Sequence, residues 1–194
     1  MTLIKSISGI RGTIGGKTQN NLTPIDTVKF AAAYGSWLQK QFPEKKLKVV
    51  VGRDARISGA MIQNLVMNTL VGLGIEVIDI DLSTTPTVEV AVPIEEADGG
   101  IILTASHNPK QWNALKLLNN KGEFLDGENG AEILEIAESE DFHFAEVDDL
   151  GSIERKTEYI DIHIREVLNL KLVDAEKVAN AKFKVVVDAV NSTG

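Results

Sequence analysis

The side chains best suited to chemistry lie together in residues 104–109, which read Thr-Ala-Ser-His-Asn-Pro. They follow a short apolar run, residues 101–103, that is entered from two glycines and is typical of a buried strand. In open α/β sheets, the loops beyond the carboxyl ends of the strands form the crevice where ligands bind. Pro109 fixes its own φ and keeps Asn108 out of the helical region, which stiffens the loop. The sequence therefore predicts that the hydroxyl of Ser106 is held in one place at a sheet edge.

Residue types alone leave other interpretations of this loop open. It could be an ordinary strand-to-helix turn in which Thr104 or Ser106 caps the following helix. A serine hydrolase is a further alternative, but the Gly-x-Ser-x-Gly sequence of a nucleophile elbow is not present around Ser106.

Cationic side chains are predicted near the same edge. Arg11 lies beside Gly12 in a candidate strand pair, residues 52–56 (Gly-Arg-Asp-Ala-Arg) follow an apolar strand, and Lys116 alternates with leucines in another strand. Arginine suits phosphate because its planar fork donates two hydrogen bonds. Each segment also has a purely structural interpretation. Arg11 could be a surface arginine, Arg53 and Asp54 could form an ion pair that holds their loop, and the stem of Lys116 could run past its apolar neighbours to solvent.

Residues 104–109 resemble the active-site serine loop of the α-D-phosphohexomutases, the superfamily of phosphoglucomutase, phosphomannomutase and phosphoglucosamine mutase. Three further segments are similar to elements of that family. Residues 8–12 read Ser-Gly-Ile-Arg-Gly, residues 52–56 fit Gly-Arg-Asp-x-Arg, and residues 113–116 fit Asn-Gly-x-Lys except that Ala114 replaces the glycine.

This resemblance implies roles for four residues. Ser106 would carry a phosphoryl group and pass it to a hexose 1- or 6-phosphate, with a hexose 1,6-bisphosphate as the intermediate. Arg11 would offset phosphate charge, Lys116 would handle protons, and His107 would donate to the phosphate or assist as an acid–base group. Mg²⁺ would take one ligand from the phosphate on Ser106 and the others from an Asp-x-Asp-x-Asp loop that this sequence does not contain.

The implied function is a phosphohexomutase that moves a phosphoryl group reversibly between the 1- and 6-positions of a hexose. Phosphoglucomutase or phosphomannomutase is the first expectation, and phosphoglucosamine mutase is the alternative within the superfamily. A non-catalytic sugar-phosphate-binding protein on the same fold is the alternative from another class.

The elements that must position these residues alternate between strand and helix. Helix starts are indicated by Thr23 before Pro24, by Ser58, and by Thr84 before residues 85–86. The pattern predicts an α/β fold: a three-layer α/β/α domain with a mixed, mostly parallel sheet over residues 1–150.

The remaining residues, 151–194, are predicted to form a linker helix at 157–170 and the beginning of a second, similar domain. A run rich in valine predicts a strand at 181–187. Because members of the superfamily are more than twice this length, the chain is expected to be an amino-terminal fragment, and by itself it should fail to turn over sugar phosphates.

Composition indicates a globular protein and argues against some partners. The 194 residues are 43% hydrophobic and carry 20 Lys+Arg and 28 Asp+Glu, a net charge of −8. This charge argues against a nucleic acid or an anionic membrane as partner. Twelve of the acidic residues lie in 122–154 and are interpreted as a solvated face and loop. No cysteine, signal-peptide core or membrane-spanning run is present, which favours a cytoplasmic location; the oligomeric state stays open.

Overall fold

The computed structural model describes residues 1–6 and 9–193. Over these residues the sheet has seven strands in the order β1-β2-β6-β5-β3-β4-β7. In chain order the strands are β1 (Ile4–Ser6), β2 (Gly9–Thr13), β3 (Lys48–Arg53), β4 (Glu76–Leu82), β5 (Gly99–Leu103), β6 (Trp112–Leu118) and β7 (Ile153–Arg155). The α-helices are α1 (Pro24–Gln41), α2 (Gly59–Gly72), α3 (Thr85–Ile94), α4 (Gly127–Ser139), α5 (Tyr159–Leu168) and α6 (Ala175–Asn180). None of these helices combines the length and apolar character that crossing a membrane requires.

The sheet is mixed, which confirms the predicted α/β class. β3 pairs in parallel with β4 and β5, and β4 pairs in parallel with β7. The other three pairings, β1 with β2, β2 with β6 and β6 with β5, are antiparallel. Three of the six strand pairings are therefore parallel and three are antiparallel. The antiparallel ones arise because the amino-terminal hairpin and β6 run against the central strands.

Two apolar cores on opposite faces of the sheet give the predicted three layers. Side chains alternate across a strand, so Val49 and Val51 of β3 face the core formed with α1, α2 and α4. Val50, between them, faces the second core, which is completed by α3 and by Tyr159 of α5. Helices therefore cover both faces, and the sheet is open to ligands at the strand ends and their loops.

The predicted helix starts differ in how they are capped. Thr23 precedes α1 and forms a reciprocal capping box with Asp26. Thr84 caps α3 by accepting a hydrogen bond from the main-chain N–H of Thr87. Ser58 directly precedes α2, but its side chain does not cap the helix. Instead its hydroxyl accepts a hydrogen bond of 2.9 Å from Asn113 Nδ2, so the predicted helix start is confirmed but the predicted capping by the Ser58 side chain is wrong.

Gly9 is required where β2 meets β6. Its φ is +116°, and a Cβ there would lie 2.2 Å from the carbonyl oxygen of Leu115. Gly9→Ala is therefore expected to lower the free energy of unfolding by at least about 2 kcal/mol, through strain and overlap together. Gly15 is a matched control, since its φ is +88° but no described atom lies within 4 Å of the place that a Cβ would occupy. Urea unfolding of both variants measures the difference, and equal losses would contradict the predicted overlap.

Residues 151–193 attach to the sheet through β7 and α5. Helix α5 confirms the helix predicted at 157–170, and Tyr159 is buried in the second core. The predicted strand at 181–187 is wrong: these residues form no strand, and Val185, Val186 and Val187 are exposed. A strand needs a hydrogen-bonding neighbour, and the described residues provide none at this position. The predicted domain boundary at residue 150 stays a prediction.

A cluster of Lys156, Tyr159 and Glu95 connects this segment to the end of α3. Lys156 Nζ lies 2.9 Å from both carboxylate oxygens of Glu95, and the Tyr159 hydroxyl donates to the same carboxylate. Burial acts to raise the pKa of Glu95, but the hydrogen bonds from Tyr159 and Lys156 outweigh it and hold that pKa below its ordinary value. Burial, together with the neighbouring carboxylate, raises the pKa of Tyr159.

This cluster predicts a pH dependence of stability. Because the folded-state pKa of Glu95 is lowered, its contribution is present above its unfolded pKa, about 4.3, and is lost as pH falls through the folded value. Glu95→Gln is therefore expected to destabilise the chain at neutral pH by more than it does below about pH 4. Urea midpoints of wild type and variant across this range test it, with the exposed Glu96→Gln as control. A difference that does not change with pH would contradict the prediction.

Candidate functional site

The predicted serine loop lies at the edge of the sheet where the central parallel strands end. β5 ends at Leu103, and residues 104–109 follow it directly. The loop after β3, which contains Asp54 and Arg56, reaches the same edge because β3 and β5 are parallel neighbours. The two loops are in direct contact through hydrogen bonds from Arg56. The fold thus confirms the prediction that both loops lie at this edge of the sheet.

A cleft of about 220 Å³ brings the four predicted site residues together. It is lined by Gly9, Arg11, Thr104, Ala105, Ser106, His107, Asn108, Ala114 and Lys116. Those lining residues come from β2, β6 and the serine loop, which are far apart in the sequence. The structure thus assembles one site from them, while the chemical role of each residue stays a prediction.

Sheet register explains why the two cations share this cleft. Arg11 of β2 lies opposite Ala114 of β6, and Lys116 is the next residue along β6 on the same face. Ala114 has an ordinary strand conformation and is buried. The backbone freedom of a glycine is therefore not needed at this position, although the family pattern has one there. Ser8, part of the amino-terminal motif, lies outside the described residues.

Neither cation is neutralised within the described part of the chain. Over residues 1–6 and 9–193, no Asp or Glu lies within salt-bridge distance of Arg11 or Lys116. The Lys116 ammonium lies 5.6 Å from the centroid of the Phe124 ring, a cation–π contact. Two cations without carboxylate partners in one small cleft favour the binding of an anion.

Ser106 is exposed and has a left-handed backbone, with a φ of +53°. That conformation is uncommon for residues other than glycine and occurs in turns as well as at active sites. The hydrogen bonds that Ser106 makes to neighbouring side chains use its main-chain N–H and carbonyl. Among the described residues, no histidine or carboxylate is hydrogen-bonded to its hydroxyl. The base that a serine hydrolase needs is therefore not paired with this serine.

Arg56 holds the serine loop, a role that the sequence did not reveal. Its guanidinium donates to four main-chain carbonyls, those of Ser106, Asn108, Pro109 and Trp112, at 2.6 to 3.1 Å. It also pairs with Asp54 at 3.1 Å. These contacts occupy its donors, so Arg56 supports the loop and does not offer a free fork to a phosphate. The motif in residues 52–56 is visible in the sequence, but nothing there indicates that its second arginine turns toward carbonyls.

The predicted pairing within residues 52–56 needs a correction. Asp54 does pin the loop, but its partner is Arg56 and not Arg53. Arg53 forms its ion pair with Asp81 of β4, at 2.9 Å. The reason is geometric, since Arg53 is the last residue of β3 and lies beside the end of β4.

The described residues do not form a metal site by themselves. They contain no group of three or more His, Asp or Glu side chains that could hold a metal ion. All twelve acidic residues of the segment 122–154 are exposed, as a solvated face and loop require. The predicted Mg²⁺ ligand, Ser106, is therefore not part of such a group among residues 1–6 and 9–193.

Known proteins are similar to this chain in sequence and in fold. Residues 3–144 match the family model described as phosphoglucomutase/phosphomannomutase, alpha/beta/alpha domain I. A Thermococcus kodakarensis protein named phosphoglucomutase/phosphomannomutase is 38% identical over 185 residues, which is 94% of this chain and 40% of that protein. A Sulfurisphaera tokodaii protein named phosphoglucosamine/phosphogalactosamine mutase is 33% identical over 187 residues, 96% of this chain and 39% of that protein. The chain thus spans less than half the length of either relative.

Solved structures agree on the architecture. The crystal structure of a phosphoglucomutase/phosphomannomutase family protein from Burkholderia thailandensis has a TM-score of 0.69 and 23% identity. The match covers 89% of this chain and 38% of that one. At this identity the likeness supports the three-layer fold.

Proposed function

Since the chain belongs to the phosphoglucomutase/phosphomannomutase family, we propose that the protein is a phosphohexomutase acting through a phosphoserine at Ser106. The observation that carries the proposal is the cleft in which the exposed Ser106 meets two cations without carboxylate partners, Arg11 and Lys116. Because the chain spans 40% of its relative from Thermococcus kodakarensis, turnover is assigned to the whole protein.

The first step transfers the phosphoryl group from Ser106 to the sugar. A hydroxyl oxygen of the hexose phosphate attacks the phosphorus in line, a P–O bond to the sugar forms, and the P–Oγ bond of Ser106 breaks. The proton of the attacking hydroxyl passes to Lys116, and Arg11 stabilises the negative charge on the transferring oxygens. His107, adjacent to the serine, donates a proton to the leaving Oγ in this proposal and is the acid–base candidate ranked after Lys116.

The second step returns a phosphoryl group to the serine. The bisphosphorylated sugar turns over in the site and presents its other phosphate to Ser106. The Ser106 Oγ then attacks that phosphorus and passes its proton to His107, while the P–O bond to the sugar breaks and the released sugar oxygen takes the proton held by Lys116. The net result is a hexose phosphate with its phosphate moved between the 1- and 6-positions.

Mg²⁺ remains part of the proposal as the group that neutralises phosphate charge when bound. Its ligands other than the phosphate on Ser106 would come from outside the described residues. The proton transfers and the positioning of the serine are assigned to the side chains of the cleft.

The sugar is proposed to be glucose or mannose, with glucosamine as the alternative. The more similar of the two relatives named above is a phosphoglucomutase/phosphomannomutase at 38% identity. The other, at 33%, is named for amino sugars. The cleft described here holds the phosphoryl-transfer residues and does not distinguish these substrates.

Mass spectrometry of the whole protein tests the proposal. We expect Ser106 to gain the mass of one phosphoryl group, about 80 Da, on incubation with glucose 1,6-bisphosphate. The group should be lost again on incubation with the matching hexose monophosphate, and comparing glucose, mannose and glucosamine phosphates identifies the sugar. A Ser106 that stays unmodified under these conditions would overturn the mutase and favour a sugar-phosphate-binding protein.

A further inference from the structure

A closed ring of hydrogen bonds passes through the main chain of Ser106. The Ser106 N–H donates to Thr104 Oγ1 at 3.1 Å, and Thr104 Oγ1 donates to Asp54 Oδ2 at 2.6 Å. Arg56 Nε donates to the same carboxylate oxygen at 3.1 Å, and Arg56 Nη2 donates to the Ser106 carbonyl at 2.6 Å. The ring therefore fixes the peptide groups on both sides of Ser106.

The ring is partly buried, and its bond to the Ser106 carbonyl is exposed. The side chains of Arg56 and Asp54 are 11% and 14% exposed, and Thr104 is buried. Hydrogen bonds between charged groups are stronger when shielded from water. The Asp54 main chain is also anchored, because its N–H donates to the carbonyl of Leu103 at the end of β5. The ring thus links the serine loop to the end of β5.

The ring and the cations of the cleft differ in net charge. Arg56 is neutralised by Asp54, so the pair adds no net charge near a bound phosphate. Arg11 and Lys116, which approach from β2 and β6, are the cations without carboxylate partners among the described residues. Loss of the ring should therefore change the position of the Ser106 hydroxyl while leaving the charges that attract a phosphate in place.

We propose that Asp54, Thr104 and Arg56 are positioning residues that hold Ser106 in its left-handed conformation and thereby set the rate of phosphoryl transfer. This inference rests on the proposed function, since it concerns the reaction assigned to Ser106. It adds that the ring acts on the transfer step and not on the binding of hexose phosphate.

The decisive comparison is Thr104→Val against Thr104→Ser in the whole protein. Valine keeps the shape but breaks the ring, whereas serine keeps the hydroxyl. In Thr104→Val we expect the single-turnover rate of Ser106 phosphorylation by glucose 1,6-bisphosphate, and kcat, to fall about 10- to 100-fold. KM for the hexose phosphate should change by less than about twofold. Thr104→Ser should stay close to wild type. Thr104→Ala, which also removes the hydroxyl and leaves the charges unchanged, provides a second variant if Thr104→Val fails to fold.

Amide hydrogen exchange gives a readout that does not depend on turnover. Opening the ring should increase exchange at the Ser106 N–H at least about tenfold, while the β5 amides stay protected. If exchange rises but the transfer rate does not fall, the positioning role is overturned and the ring merely stabilises the loop. If wild-type Ser106 never accepts a phosphoryl group, the proposed function itself fails, and the exchange data still show whether the ring holds the serine. Equal exchange of the Ser106 N–H in wild type and Thr104→Val would show that the ring does not hold the Ser106 main chain, and would overturn the proposal.

Discussion

Ser106→Ala is expected to reduce mutase turnover of the whole protein by at least about a thousandfold, because the phosphoryl group loses its attachment point. The Ser106 side chain is exposed, and its neighbours are bonded to its main chain. Alanine keeps these main-chain contacts, so the free energy of unfolding should change little. A coupled assay for hexose phosphate isomerisation measures the first quantity, and urea unfolding measures the second.

The control for this variant is Ser152→Ala. Ser152 is exposed and lies beside β7, at the opposite edge of the sheet from the hairpin that carries Arg11. Its replacement should leave turnover unchanged. Substantial turnover in Ser106→Ala, with a phosphoryl group found on another residue, would contradict the assignment of Ser106.

Lys116 carries the second large expected effect. Lys116→Met is expected to lower kcat by about 10²- to 10⁴-fold, the usual contribution of a positioned acid–base group. Lys116→Arg keeps the positive charge but cannot accept a proton, since arginine stays protonated in proteins. If Lys116 handles protons, the two variants should lose similar amounts of kcat. If it only attracts phosphate, Lys116→Arg should recover most of the activity.

Lys121→Met is the matched control for these variants. Lys121 is an exposed lysine in the turn after β6, on the same segment of chain as Lys116. Its loss changes the net charge equally without entering the cleft. A decrease in kcat similar to that of Lys116→Met would show that overall charge, and not Lys116 itself, governs the rate.

Local sequence patterns predicted much of this fold. Thr23 and Pro24 mark a helix start by capping and by fixed φ, which are properties of neighbouring residues. The apolar run around Val50 predicts a strand buried on both faces, and this prediction uses local composition alone. The serine loop was placed correctly for the same reason, since an apolar run followed by turn residues indicates a strand end.

Features that depend on distant partners could not be read from the sequence. Arg53 pairs with Asp81, and Arg56 binds carbonyls of the serine loop, because the tertiary fold brings these strand ends together. Ser58 does not cap α2, because its hydroxyl is hydrogen-bonded to Asn113 of β6. The run at 181–187 has the composition of a strand, yet strand formation depends on a neighbouring strand and not on composition alone.

The same run affects how the 194-residue chain behaves when it is produced alone. Val185, Val186 and Val187 expose 75%, 96% and 79% of their surface, and Phe183 exposes 70%. Short segments of high β-propensity with free N–H and C=O groups can join another copy edge to edge. We therefore expect a chain that presents this segment to self-associate increasingly as its concentration rises. Placing a lysine at position 186 adds a charge that opposes such stacking, which would make samples for spectroscopy easier to keep monodisperse.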